Sequence, residues 1–276
     1  MQIRTPAVAG MFYPNKKNEL EQSIKSLFLH KLGPGKLPPT KTKKRIYGVI
    51  CPHAGYMYSG PIACQSYYAI SSDSKKIFVI IGPNHWGIGS DIAIMKDGVW
   101  QTPLGEVEID THIAEEISKA AGIAIDSFSH SREHSIEVQI PILQTIKSDC
   151  KIVPIVLIDQ SIETAVLIGK TLAKIAKTNE IMIIGSSDFT HYETDEFARE
   201  QDLALIEPIL NLDVEEFYNI LQKRNVSACG YGAIASVIVA CKEIGATKGE
   251  LLKYATSGEV TDDLNSVVGY GSIIFT

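Results

Sequence analysis

Membrane-length hydrophobic runs are missing from this 276-residue sequence. Its longest apolar stretches, such as Ile77 to Gly82, break off within about ten residues, where a spanning helix needs roughly 18. The first residues, Met1 to Pro6, lack the apolar segment of a secretory leader. Cysteine is sparse and odd in number: five residues (51, 64, 150, 229 and 241) with no CxxC pair. A secreted disulfide framework is even and dense. These absences predict a soluble protein of the cytoplasm with reduced thiols and no membrane partner. Positive charge is also in deficit, with 26 Lys and Arg against 32 Asp and Glu, a net charge of −6. That argues against nucleic acid as the main partner. GxGxxG after a strand, GxxxxGK[ST] and GxSxG are all absent, so no nucleotide cofactor and no serine-elbow chemistry are expected.

What remains is ordinary globular composition, 45% hydrophobic and 21% charged, without repeats. Short, continuously apolar, β-branched runs occur at Arg45–Cys51, Lys76–Gly82, Lys151–Ile158 and Glu180–Gly185, with two more at Leu251–Ser257 and Val267–Phe275. Such runs suit strands buried on both faces. Three-to-four spacing predicts helices over Pro61–Ile70, Thr111–Ala121, Ser135–Lys147, Ile162–Ala176 and Glu193–Leu210. The alternation predicts one α/β sandwich spanning residues 1–276, with a central mixed, largely parallel sheet flanked by helices. Lys31–Arg45, rich in Pro, Gly and basic residues, is predicted to be a surface loop.

Three of the strand patterns run into polar tails. They are Cys51-Pro52-His53-Ala54-Gly55-Tyr56, Gly82-Pro83-Asn84-His85, and Gly185-Ser186-Ser187-Asp188-Phe189-Thr190-His191. Ligands bind beyond the carboxyl ends of strands in open α/β sheets, so parallel neighbouring strands would gather these groups on one rim. His53 and His85, from strand ends one β-α-β crossover apart, are candidate metal ligands, because neutral imidazole suits transition metals. Asp188 and His191 would share a face if a helical turn begins there, with His191 as general acid or base and Asp188 orienting it. Alternatively, Asp188 caps the following helix. Cys229 precedes an apolar helical pattern, where the positive dipole end favours thiolate, as ligand or nucleophile. Cys64, Cys150 and Cys241 fit packing roles, and Cys51, at a strand end, is open. In Glu133-His134-Ser135-Ile136-Glu137, His134 and Glu137 would line a pocket from one helix face, or the segment simply caps that helix. Tyr56 and Asn84 are further pocket candidates.

These blocks resemble the MEMO family, and the likeness runs almost the whole length. Besides the segments above it includes Arg4 to Pro14 (RTPAVAGMFYP), Tyr58-Ser59-Gly60, Thr102-Pro103-Leu104-Gly105 and Ala228-Cys229-Gly230. The resemblance implies a fold similar to the class III extradiol dioxygenases, non-haem iron enzymes that open catechol rings. It implies a His, His, Cys metal set at His53, His85 and Cys229, with Asp188 and His191 as further pocket residues. The dioxygenases use a carboxylate where this pattern has a thiolate, which favours copper, zinc or redox chemistry over oxygen-activating iron. The leading expectation is therefore a metal-binding protein with iron- or copper-dependent redox activity (zinc being the third candidate metal). Two others stand beside it: a dioxygenase-like or metal-assisted hydrolytic enzyme, and a non-enzymatic module holding a peptide or partner in the same pocket. A small molecule or peptide is the expected pocket ligand. Radical-SAM and AMMECR-type proteins are pathway partners that the resemblance implies.

Overall fold

The computed structural model describes residues 2–41 and 44–276. Twelve strands and nine α-helices are found among them. The strands are β1 (Ile3–Arg4), β2 (Gly48–Cys51), β3 (Ile77–Pro83), β4 (Ile92–Ile94), β5 (Val99–Thr102), β6 (Gly105–Ile109), β7 (Ala124–Ile125), β8 (Lys151–Leu157), β9 (Ile181–Ser186), β10 (His191–Glu193), β11 (Gly249–Thr256) and β12 (Val267–Phe275). The helices are α1 (Lys17–Leu29), α2 (Tyr56–Ile70), α3 (Thr111–Ala121), α4 (Gln139–Ile146), α5 (Ile162–Ala176), α6 (Asp195–Leu210), α7 (Val214–Arg224), α8 (Tyr231–Glu243) and α9 (Gly258–Thr261).

All the strands join one mixed sheet with the main order β1-β5-β6-β8-β3-β9-β2-β12-β10. Its centre, β6-β8-β3-β9-β2, is parallel, and β12 closes it antiparallel to β2. Consecutive residues of the central strands are fully buried, Val49 and Ile50 in β2 and Val79 to Ile81 in β3. Both faces of the sheet are therefore covered, as their unbroken β-branched runs require. Helix α8 packs against β2, β3 and β9, and α5 packs on α8. That second contact needs Gly169, because a Cβ there would stand 2.6 Å from the Cβ of Val239.

Helices α3 and α5 have the boundaries expected of them, each started by a side-chain cap: Asp110 accepts from the Ile113 N–H and Ser161 from the Thr164 N–H. Two starts differ. Residues 135–138 form turns and α4 opens only at Gln139. Residues 191–193 pair with β12 as a short strand, and α6 begins at Asp195 with Thr194 as its cap. Asp188 is thus neither a helix cap nor on a helical face with His191. The chain also forms α1, α7 and the β5–β6 hairpin, to which no pattern had been assigned. In α1 the buried residues Leu20, Ile24, Leu27 and Phe28 make a narrow stripe in an otherwise polar segment. Between Lys31 and Arg45 the described residues form neither helix nor strand, and residues 42 and 43 of that expected loop lie outside the described residues.

Candidate metal centre

The three polar tails leave the sheet side by side. Strand β9 pairs with both β2 and β3, all parallel, with Cys51 level with Ser186 and Ile81 level with Gly185. The histidine-bearing strands β2 and β3 are therefore not direct neighbours, because β9 lies between them. The crossover that separates His53 from His85 in sequence leaves a strand-wide gap, and the third tail fills it. His53 and His85 nonetheless meet, with ring centroids 5.1 Å apart. His134, brought in by the turn before α4, stacks on His85 at 4.5 Å and stands 5.5 Å from His53. One ligand atom from each of these three imidazoles lies within 4.8 Å of the others. His134, expected only as a pocket residue, is thus the third member of the group.

The hydrogen-bond network sets how the rings face the site. The Ser186 hydroxyl donates to the Ser135 carbonyl at 2.7 Å and accepts from the Gln139 amide at 2.9 Å. It must therefore also accept from His53 Nδ1, 2.9 Å away. The proton of His53 sits on Nδ1, leaving Nε2 with a free lone pair. His85 does the same against a carboxylate, its Nδ1 donating to Glu133 Oε1 at 2.8 Å. Burial pushes His53 well below the usual histidine range, followed by the neighbouring His85 and His134. His134 falls to about 4, again mainly through burial. Neutral rings with Nδ1 occupied and Nε2 free are the state in which histidine binds a transition metal.

Glu133 holds two of the three. Its carboxylate accepts from the His85 backbone N–H at 2.6 Å and from His85 Nδ1, and also from the His134 and Ser135 N–H groups at 2.8 Å each. Burial by itself would raise its pKa, but these donors and the two imidazoles bring it down to about 2. Its service to the His134 and Ser135 N–H groups is the capping alternative expected of this segment, whereas its hold on His85 was not expected.

Cys229 Sγ stands 3.1 Å from His53 Nε2 and accepts the Asp188 N–H at 3.3 Å. It lies two residues before α8, whose cap is Gly230. Burial, then the Asp188 charge, pushes the thiol well above its ordinary range, against the lowering expected from the helix dipole. The thiol instead donates to the free His53 Nε2. Asp188 accepts the His53 N–H at 2.8 Å, and its other oxygen is 4.0 Å from His53 Nε2. Burial raises its pKa. His191 is oriented by Ser227 rather than by Asp188: its backbone N–H donates to the Ser227 hydroxyl oxygen at 2.8 Å, and Nδ1 donates to the Ser227 carbonyl at 2.9 Å.

A cavity of about 770 Å³ opens over these groups, with His53, His85, His134, Asp188, His191 and Cys229 in its wall. Three predicted pocket residues are not among its lining residues. Tyr56 is buried and donates to the Val138 carbonyl at 2.7 Å. Asn84 donates to the Ile88 carbonyl at 2.8 Å, its buried Oδ1 having no partner among the described residues. Glu137 is committed elsewhere, ion-paired with Arg4 and accepting from Ala7 N (2.8 Å), Val8 N (3.0 Å) and the Tyr13 hydroxyl (2.6 Å). It fastens the amino-terminal segment, which carries Met11 and Phe12 into the cavity wall, the Phe12 ring 4.7 Å from His134.

The donor chemistry fits a transition metal, with three imidazoles and a sulfur beside them. No helix among the described residues is long and apolar enough to cross a membrane. The chain is similar in fold to an uncharacterised protein of Escherichia coli K12 of known structure, with a TM-score of 0.50 at 13% identity over 83% of this chain and all of that one. It is 58% identical to a MEMO1 family protein of Nitrosopumilus maritimus and 45% identical to one of Methanocaldococcus jannaschii, each over 99% of both chains. A family model described as Memo-like protein matches residues 4–274, and on this full-length agreement the chain belongs to the Memo-like family.

Proposed function

We propose that the chain binds one redox-active transition metal ion, iron or copper, through His53, His85 and His134, and acts on a small molecule held in the cavity above them. The observation that carries this reading is the meeting of three imidazole ligand atoms within 4.8 Å, with Nδ1 of His53 and of His85 already occupied. Cys229 is the adjacent sulfur donor, and the raised pKa of its thiol is the kind of barrier that metal coordination overrides. When bound, the metal would supply electron transfer or Lewis acidity at the cavity floor. The chain supplies the rest. Ser186 and Glu133 fix the rings. His191, with Nδ1 committed to Ser227, has Nε2 available to carry a proton, and Asp188 is a buried acid that exchanges its proton more readily than an ordinary carboxylate near neutrality. All five cysteines are free, which suits a reducing, cytoplasmic setting.

The test is elemental analysis after anaerobic purification of the wild type, His134→Ala and Cys229→Ala. Near-stoichiometric iron or copper in the wild type that is lost in His134→Ala supports the centre. Its loss in Cys229→Ala as well would add sulfur to the ligand set. No metal in the wild type, even after anaerobic reconstitution, sinks the reading.

A further inference from the structure

The outer half of the cavity carries a signature distinct from its floor. Tyr192, in its wall, adopts φ +62°, the left-handed region that a bulky side chain avoids. The cause is local: β10 pairs His191 with Val268 and Glu193 with Val267, so Tyr192 is the extra residue of a bulge. The bulge turns its ring toward the cavity, 5.8 Å from His191, and leaves the side chain 76% exposed. Strain retained for an aromatic ring that solvent covers is not explained by packing. Phe12, Tyr58 and Tyr270 face the same space. No lysine or arginine is among the described lining residues, whereas two carboxylates are: Asp188 in the floor and the exposed Asp263 at the mouth. Asp263 makes no ion pair among the described residues, its oxygen accepting only from Asn265.

We propose that the cavity selects small aromatic ligands that carry a positive charge, with Tyr192 stacking on the ring and Asp263 receiving the cationic group. The inference rests on the preceding reading only in using the same cavity. A volume of about 770 Å³ suits a small molecule rather than a folded segment. Four aromatic side chains favour a planar ring, and an unpaired carboxylate at the mouth, with no lysine or arginine in the described lining, favours an ammonium group over an anion.

The test uses three phenols of nearly equal shape, namely tyramine, tyrosol and 4-hydroxyphenylacetate, titrated calorimetrically into metal-free and metal-loaded protein. Tyramine is expected to bind about tenfold more tightly than 4-hydroxyphenylacetate, with tyrosol between them. Asp263→Asn should bring the three affinities together. Tyr192→Gly should weaken all three by about fivefold while leaving Tm unchanged or raised by about 2 °C, because glycine relieves the strained φ. Tyr192→Phe should retain binding. The inference is overturned if tyramine shows no saturable binding at millimolar concentration, if the anion binds as well as the cation, or if the Asp263 variant keeps the preference. It is equally overturned if Tyr192→Gly binds normally or loses Tm. Because the charge preference is read without metal, its failure is separate from failure of the metal centre.

Discussion

Two segments reach the same cavity floor from different sides, each bringing a histidine and a buried carboxylate, and they use them in opposite ways. In the turn before α4, Glu133 collects four donors on one carboxylate. Burial resists its ionisation, but the donors win and its pKa falls to about 2. In the tail after β9, Asp188 is as deeply enclosed, yet the His53 N–H is its close donor at 2.8 Å. There burial wins and the pKa rises. Sequence alone makes the two acids look alike. The number of hydrogen bonds each receives makes Glu133 a permanent charge that aims ligands and Asp188 an acid able to exchange a proton.

The sharpest way to break this comparison is to remove what holds the Glu133 turn. Arg4 donates to the Glu133 carbonyl at 2.6 Å and pairs with the buried Glu137. Arg4→Met leaves that carboxylate uncompensated, so a loss of about 3–5 kcal/mol is expected in chemical denaturation. The next contrast sets two isosteric changes against each other in metal-free protein. Glu133→Gln should cost about 2–3 kcal/mol and weaken metal binding about 10- to 100-fold. Asp188→Asn at pH 7 should leave stability unchanged or raise it by about 1 kcal/mol, because the fold disfavours its charge. Equal losses in the two variants would show that donor number is not what separates the two acids. A third contrast is in pH dependence. The folded pKa of Glu133, about 2, lies below its ordinary value of 4.5. Its contribution is therefore present above about pH 4.5 and is lost on acidification, about 2 kcal/mol between pH 5 and 3. Glu133→Gln should lack this part of the acid slope in pH-resolved denaturation.

Several features could be read from the chain because their causes are local. Helices α3 and α5 start where Asp110 and Ser161 supply caps, and β12 spans Val267–Phe275, as its apolar run indicates. The rim was legible as well, since buried-strand runs ending in His53, His85 and Asp188 can expose those groups only at strand ends. The extended path of residues 188–193 was hidden, because the pairing of β10 with β12 depends on a strand some 75 residues away. Likewise Tyr56 and Glu137 stand in motif blocks beside true cavity residues but turn away to hold Val138 and the amino-terminal segment.

The alternating α/β organisation, the strand ends that bear the chemistry and the likeness to the MEMO pattern all follow from the chain's local order, because periodicity, caps and motif order are properties of neighbouring residues. Tertiary packing set β9 between the two histidine strands, brought His134 in to complete the cluster and seated Cys229 against His53 and Asp188. Those outcomes turn on which distant groups burial brings into contact, and on whether donors or desolvation dominate around each charge.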